Sequence, residues 1–304
     1  MARYDSLVIG GGPAGLSAAL YLARFGLTVA IVEKLAHGGL MLLTDDIENY
    51  PGFPKGIKGY ELSDALSAHL EPYPIDRIRG EITALHAETS PKRVRVDDEW
   101  IEADSIVVAS GVVYRNLGVP GEEKFIGKGI SYCALCDGNF FRGQPVAVVG
   151  GGNTALEESL YLARLVSDVH LVHRRDSFRG APVYQERVKK TENIHVEYDS
   201  VITALHGETG LEGVTVRNVK TGEEHYLAVN GLFVFIGFLP AGGYLPPELN
   251  RDANGFIVTD CEMRTNIPGV FAAGDIRSKA CRQVATAVGD GVTAANSAYL
   301  YLGH

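Results

Sequence analysis

The chain has 304 residues, 37 acidic against 28 basic, for a formal charge of −9, and is 46% apolar with 36 glycines and 13 prolines. That composition excludes a disordered chain, and the acidic balance argues against nucleic acid, which calls for a clustered basic face. No window approaches a membrane span, and the N-terminus enters a core-like strand without a signal pattern, so no membrane partner and a cytoplasmic location are expected.

Residues 10–34 read GGGPAGLSAALYLARFGLTVAIVEK, and residues 150–174 read GGGNTALEESLYLARLVSDVHLVHR; the two align without a gap. Each follows an apolar run of strand length, 7–9 or 146–149, and leads through a helix-period segment into a second strand. This is a βαβ unit twice over. Gly10 and Gly150 allow the tight bend, Gly12 and Gly152 let a pyrophosphate approach the backbone, and Gly15 or Ala155 lets helix and strand pack closely. Pro13-Ala14 and Asn153-Thr154 open the two helices, whose N-termini offer free N–H groups and partial positive charge to phosphates.

The copies differ where the second strand ends. Glu33 stands where a carboxylate accepts from an unphosphorylated ribose. The second copy has His173 there, followed by Arg174 and Arg175, with Arg179 a short loop further on. Guanidinium groups bind a 2′-phosphate by charge-assisted hydrogen bonds, so this site suits NADPH; a solvated basic turn is the alternative.

Between the repeats, a strand over 100–108 ends in Ala109-Ser110-Gly111 before a turn-rich stretch, and a second such crossing lies at 233–237, followed by Pro240, Gly242 and Gly243. These read as linkers of an inserted domain. The expected fold is α/β, with two Rossmann-like nucleotide-binding domains (three-layer ββα), the second inserted in the first. The first nucleotide-binding domain would span 1–113 and 245–304, and the inserted NADPH-binding domain 114–244.

Within the insert, CALCD at 133–137 places Cys133 and Cys136 at a helix start, where two thiols can close a disulfide and the thiolate is favoured. Half of a zinc site is the rival, with His170 and His173 as the other ligands, but three residues apart on a strand they face opposite ways. No metal is expected. Four cysteines are too few for a disulfide scaffold, which suits a reducing compartment and a transient, catalytic disulfide; Cys261 and Cys281 read as buried thiols. Near the C-terminus, 265–275 reads TNIPGVFAAGD, a buried strand ending in small residues, Gly274 and Asp275. Asp275 can accept from a ribityl hydroxyl, and a helix beginning near Arg282-Gln283-Val284 can point N–H groups at a flavin. Together with Glu33, this favours FAD.

The motifs GGGPAG, ENYPGFP at 48–54, CALCDG, GGGNTALEE, HRRDSFR and GVFAAGD followed by RQVATA occur in order along the chain. In them the sequence resembles the low-molecular-weight thioredoxin reductases. The resemblance implies a homodimer in which NADPH reduces FAD, FAD reduces a protein disulfide and the dithiol reduces thioredoxin, with rotation of the inserted domain. It also implies that Lys34, Gly38, Gly39, Leu40, Asn49, Ala109 and Gly111 border the flavin nucleotide. Cys136 would lie nearer the flavin, Cys133 would attack thioredoxin, and Asp137 would be the acid/base, with an ordinary turn carboxylate as its alternative. Phe140 and Phe141 match positions that can dock thioredoxin, although core aromatics would look the same. One departure is Leu40, where the family commonly has glutamine. Two other readings stay open: a flavin disulfide reductase serving a glutaredoxin-like or peroxiredoxin-linked carrier, and a flavin-bound redox sensor.

Overall fold

The computed structural model describes residues 2–43, 46–47 and 49–303, without the side chains of Leu43, Asp46, Leu135 and Cys136. The chain divides into two compact units, one of residues 1–113 and 239–304, the other of residues 114–238.

In the first unit, the apolar runs recognised in the sequence are buried on both faces, as interior parallel strands require. Ile75–Arg79, Val29–Glu33, Arg3–Ile9 and Glu99–Val108 lie side by side in that order, all parallel. Glu99–Val108 is long enough to serve two partners on one edge. Its C-terminal end carries Val270–Ala272 in parallel, and its N-terminal end carries Lys92–Val96 antiparallel, itself paired with Ile82–His86. Side chains alternate accordingly. Val8, Val29, Ile31, Val107 and Phe271 face helices Pro13–Arg24 and Val284–Tyr301, while Leu7, Ile9, Ala30, Val32 and Ile106 face the antiparallel layer through Leu85, Val94 and Val96. Three layers result. The two helices approach closely because Gly291 has no side chain: a Cβ there would lie 2.2 Å from the Ala14 carbonyl oxygen.

The second unit repeats the plan. Ile130–Ser131, Gly231–Phe235, Val146–Gly150, Val169–Val172 and Ile194–Glu197 form a parallel sheet in that order. One face packs on helices Asn153–Leu162 and Pro182–Lys190 through Val148, Leu171 and Phe233. The other packs, through Ala147, Val172 and Leu232, on the antiparallel strands Ser200–His206, Gly213–Asn218 and Glu224–Leu227.

Two readings of the sequence are corrected. The return crossing falls between Phe238 and Leu239, so residues 239–244 leave the expected insert. The Ala241 N–H bonds the Gly111 carbonyl, the Tyr244 hydroxyl reaches Ser110, and Leu245 enters the first core. The strand expected over 265–275 is confined to Val270–Ala272, because Thr265 turns the chain by bonding back to the Ile267 N–H and the Val270 carbonyl. Among the described residues, no helix is long and apolar enough to cross a membrane.

Candidate nucleotide and redox sites

The first glycine turn is built so tightly that side chains are excluded. Gly10 has φ +106°, and a Cβ on it would lie 2.5 Å from the Ala109 carbonyl oxygen. A Cβ on Gly15 would lie 1.8 Å from the Gly10 carbonyl oxygen. Gly12, which caps the helix ahead of Pro13 and Ala14, instead faces open space, which leaves room for a phosphate at the helix N-terminus. Glu33 ends the next strand and accepts from the backbone N–H of Gly11 (2.7 Å) and Leu35 (3.0 Å), one on each oxygen. Each carboxylate oxygen has two lone pairs, so a ribose hydroxyl can still be bound.

Around this turn, the Gly38 N–H bonds the Gly11 carbonyl (2.7 Å), Gly39 lies against Gly12, and Leu40 sits in the 3-10 turn Gly39–Leu43. Lys34 is exposed and pairs with Glu81 at 3.1 Å. The Asn49 amide donates to the Gln283 side chain (3.0 Å), joining the 49–54 segment to the N-cap of helix Val284–Tyr301. Gly111 has φ +68° and open space where a side chain would stand. Glu48, the first residue of ENYPGFP, lies outside the described residues. His37, absent from the sequence-based set, packs against Gly11 with its Nδ1 buried and unpartnered, and burial lowers its proton affinity.

Gly274 adopts φ +77° and donates its N–H to Asp290 (3.1 Å). Arg277 and Lys279 bind the same Asp290 carboxylate at 2.9 and 2.7 Å in a nearly buried triad that the sequence did not reveal, since the carboxylate lies eleven or more positions beyond either cation. The Arg282 side chain bonds within its own loop. Its guanidinium donates to the carbonyls of Asp275, Lys279 and Arg277 and lies 4.1 Å from the Phe256 ring centroid, so it fastens the loop in front of the helix.

Asp275 Oδ1 is buried without a protein partner, an arrangement that fits an incoming hydroxyl. Burial raises the Asp275 pKa despite Lys279 and Arg282 nearby. A carboxyl raised in the fold contributes stability below its unfolded value, near 3.8, and loses it as pH rises through the folded value. With the nucleotide removed, Asp275→Asn is therefore expected to melt a few degrees above the parent near pH 8, and the gap should close toward pH 4. Thermal melts across that range check this, and a gap independent of pH would contradict it.

At the second turn, a Cβ on Gly150 would lie 2.5 Å from Ala155 Cβ and 2.7 Å from the Phe235 carbonyl oxygen, while Gly152 again caps a helix and faces open space. Asn153 accepts from the Ala181 N–H (2.7 Å), and the N–H groups of Arg179 and Gly180 bond the Gly151 carbonyl, folding the basic loop over the helix start beside exposed Thr154. Arg174, Arg175 and Arg179 are exposed, and none has a salt-bridge partner among the described residues. His173 parts company with them. It is 5% exposed, its ring fills the space a Gly151 side chain would need, and its Nε2 bonds the Ser177 carbonyl, so it shapes the loop from beneath.

Cys133 is disulfide-bonded and immediately precedes the short helix Ala134–Asp137; the Cys136 side chain is outside the described set. Cys261 and Cys281 are free and exposed, not buried as expected, because each lies in a loop flanking an element. The Asp137 carboxylate accepts from the Ser131 hydroxyl at 2.6 Å, a contact that motif reading missed. The two phenylalanines separate: Phe141 packs edge-on against Phe233, whereas Phe140 is 61% exposed. Among the described residues, no group of three or more His, Cys, Asp or Glu is arranged to hold a metal.

The model of the family described as "Pyridine nucleotide-disulphide oxidoreductase" matches residues 4–291. The chain is 42% identical to the thioredoxin reductase of Treponema pallidum (strain Nichols), covering 98% of this chain and 97% of that protein. It is similar to the solved thioredoxin reductase of Streptococcus pyogenes MGAS5005, with TM-score 0.83, 44% identity and coverage of 99% and 98%. The thioredoxin reductase of Lactococcus lactis superposes with TM-score 0.77 at 42% identity, over 98% and 99% of the two chains.

Proposed function

The chain belongs to the pyridine nucleotide-disulphide oxidoreductase family, among the low-molecular-weight thioredoxin reductases, and from that premise we propose that it reduces thioredoxin disulfide with electrons from NADPH by way of FAD. The carrying observation is a disulfide at Cys133, beside a hydrogen-bonded Asp137, in a chain with two glycine turns shaped for dinucleotides. Bound FAD would supply the two-electron relay between nicotinamide and disulfide. Glu33 would hold its ribose, the open face of Gly12 its pyrophosphate, and Asp275 a ribityl hydroxyl. Arg174, Arg175 and Arg179 would bind the 2′-phosphate of NADPH, with the Gly152 helix start at its pyrophosphate.

Once the Cys133–Cys136 pair is reduced, Asp137 takes the proton of the Cys133 thiol, the thiolate attacks one sulfur of thioredoxin and breaks the thioredoxin disulfide, and Asp137 returns that proton to the departing sulfur. The Cys136 thiolate then attacks the Cys133 sulfur, restoring the protein disulfide and releasing the second thioredoxin sulfur. Two electrons pass to thioredoxin. In this reading the protein works as a homodimer in the cytoplasm, and exposed Phe140 contributes to the carrier surface.

Nucleotide preference tests the reading. Arg174→Ala should lower kcat/KM for NADPH by about ten- to a hundredfold, the loss of one charge-assisted hydrogen bond, and leave NADH use nearly unchanged. Equal losses with both nucleotides would refute the 2′-phosphate assignment.

A further inference from the structure

We propose that Ser131 is a positioning residue of the disulfide chemistry, holding the Asp137 carboxylate and the Cys133 backbone in one register; the inference rests on the function proposed above. Ser131 ends the strand Ile130–Ser131, pairs in parallel register with the fully buried Phe233, and is itself 4% exposed. Its hydroxyl lies 2.6 Å from Asp137 Oδ2 and 3.2 Å from the Cys133 carbonyl oxygen. The single hydroxyl proton is shared unequally between them. The carboxylate is the stronger acceptor and the closer one, and the Cys133 carbonyl already accepts the Asp137 N–H at 3.1 Å.

The Ser131 hydroxyl oxygen in turn accepts the Cys133 N–H at 3.1 Å. A single hydroxyl thus joins the peptide carrying the attacking sulfur to the carboxylate that moves the proton. The sulfur pair changes its bonding in every cycle, whereas Ser131 sits on a strand paired with the buried Phe233 and takes no part in that change. Without that anchor the Asp137 carboxylate would have other rotamers open to it, and fewer encounters would find it aligned with the departing sulfur.

The test is a double-mutant cycle on the FAD-loaded enzyme, assayed with thioredoxin and with the small disulfide 5,5′-dithiobis(2-nitrobenzoate). Ser131→Ala should lower kcat about tenfold with KM for the disulfide unchanged, while NADPH bleaches the flavin at the parent rate. Ser131→Thr, which keeps the hydroxyl on a strand, should recover most of the loss. In an Asp137→Asn background, Ser131→Ala should cost no further factor beyond about twofold. A loss of the same size in both backgrounds would overturn the proposal, as would full turnover by Ser131→Ala. Should the parent enzyme reduce the small disulfide but not thioredoxin, the carrier assignment fails, and the cycle read on the small disulfide still decides the role of Ser131.

Discussion

Cys133→Ser is expected to bring NADPH-dependent reduction of thioredoxin down to background while the bound flavin still bleaches with NADPH. Disulfide exchange needs a sulfur that is both a thiolate near neutral pH and able to form and break an S–S bond. A serine hydroxyl is neither ionised nor capable of that bond. Cys133 is disulfide-bonded, whereas Cys261 and Cys281 are free and carry no second thiol at matching spacing, so no other pair in the chain replaces it. Cys136→Ser should block turnover equally, since the protein disulfide could not close again. Anaerobic NADPH titration followed by a thioredoxin assay separates the steps. Persistent turnover in either variant would reject the sulfur relay, and failure to bleach in both would place the fault upstream, at the nucleotide sites.

Gly15→Ala is expected to yield little soluble, yellow protein, because the added Cβ would lie 1.8 Å from the Gly10 carbonyl oxygen, on backbone that cannot rotate away. Relief requires moving helix Pro13–Arg24 off the sheet, and that helix is also locked to Val284–Tyr301 at Ala14 and Gly291. Overpacking of this kind costs about 1–3 kcal/mol even where side chains can shift, out of a total stability of about 5–15 kcal/mol, and here the obstacle is main chain. Gly12→Ala provides the contrast. Its Cβ would meet nothing within 4 Å and its φ is −75°, so the protein should fold and melt within a few degrees of the parent. It should hold FAD at least about tenfold more weakly, since the methyl occupies the approach of the pyrophosphate. Yield, melting temperature and flavin content of the two variants check this; a well-folded, fully yellow Gly15→Ala protein would show that the turn can relax.

Ala155 shows how local this constraint is. The second copy carries a methyl where a Cβ in the first would lie 1.8 Å from the Gly10 carbonyl oxygen, and the two turns differ in backbone, with φ +106° at Gly10 and +159° at Gly150. Pattern alone therefore located both turns without ranking their tolerance. Similarly, the row of basic residues after Val172 was visible in the sequence, but its division was not. His173 turns inward against Gly151 while Arg174, Arg175 and Arg179 face solvent, an outcome set by where the strand ends and the loop folds back.

By itself the sequence determined that the chain holds two βαβ units, that each has a glycine turn between its first strand and its helix, and that a cysteine pair lies just before the second. These are local properties, encoded in short apolar periods and in residues a few positions apart. Only the tertiary structure decided the rest. The antiparallel layers, the return of the chain at Leu239, the Arg277–Lys279–Asp290 triad, the loop-fastening role of Arg282 and the bond from Ser131 to Asp137 join elements through packing and chain reversal. A buried charge or hydroxyl gains its partner when water is excluded from both, and which groups meet in that way depends on how the sheets and helices close upon each other.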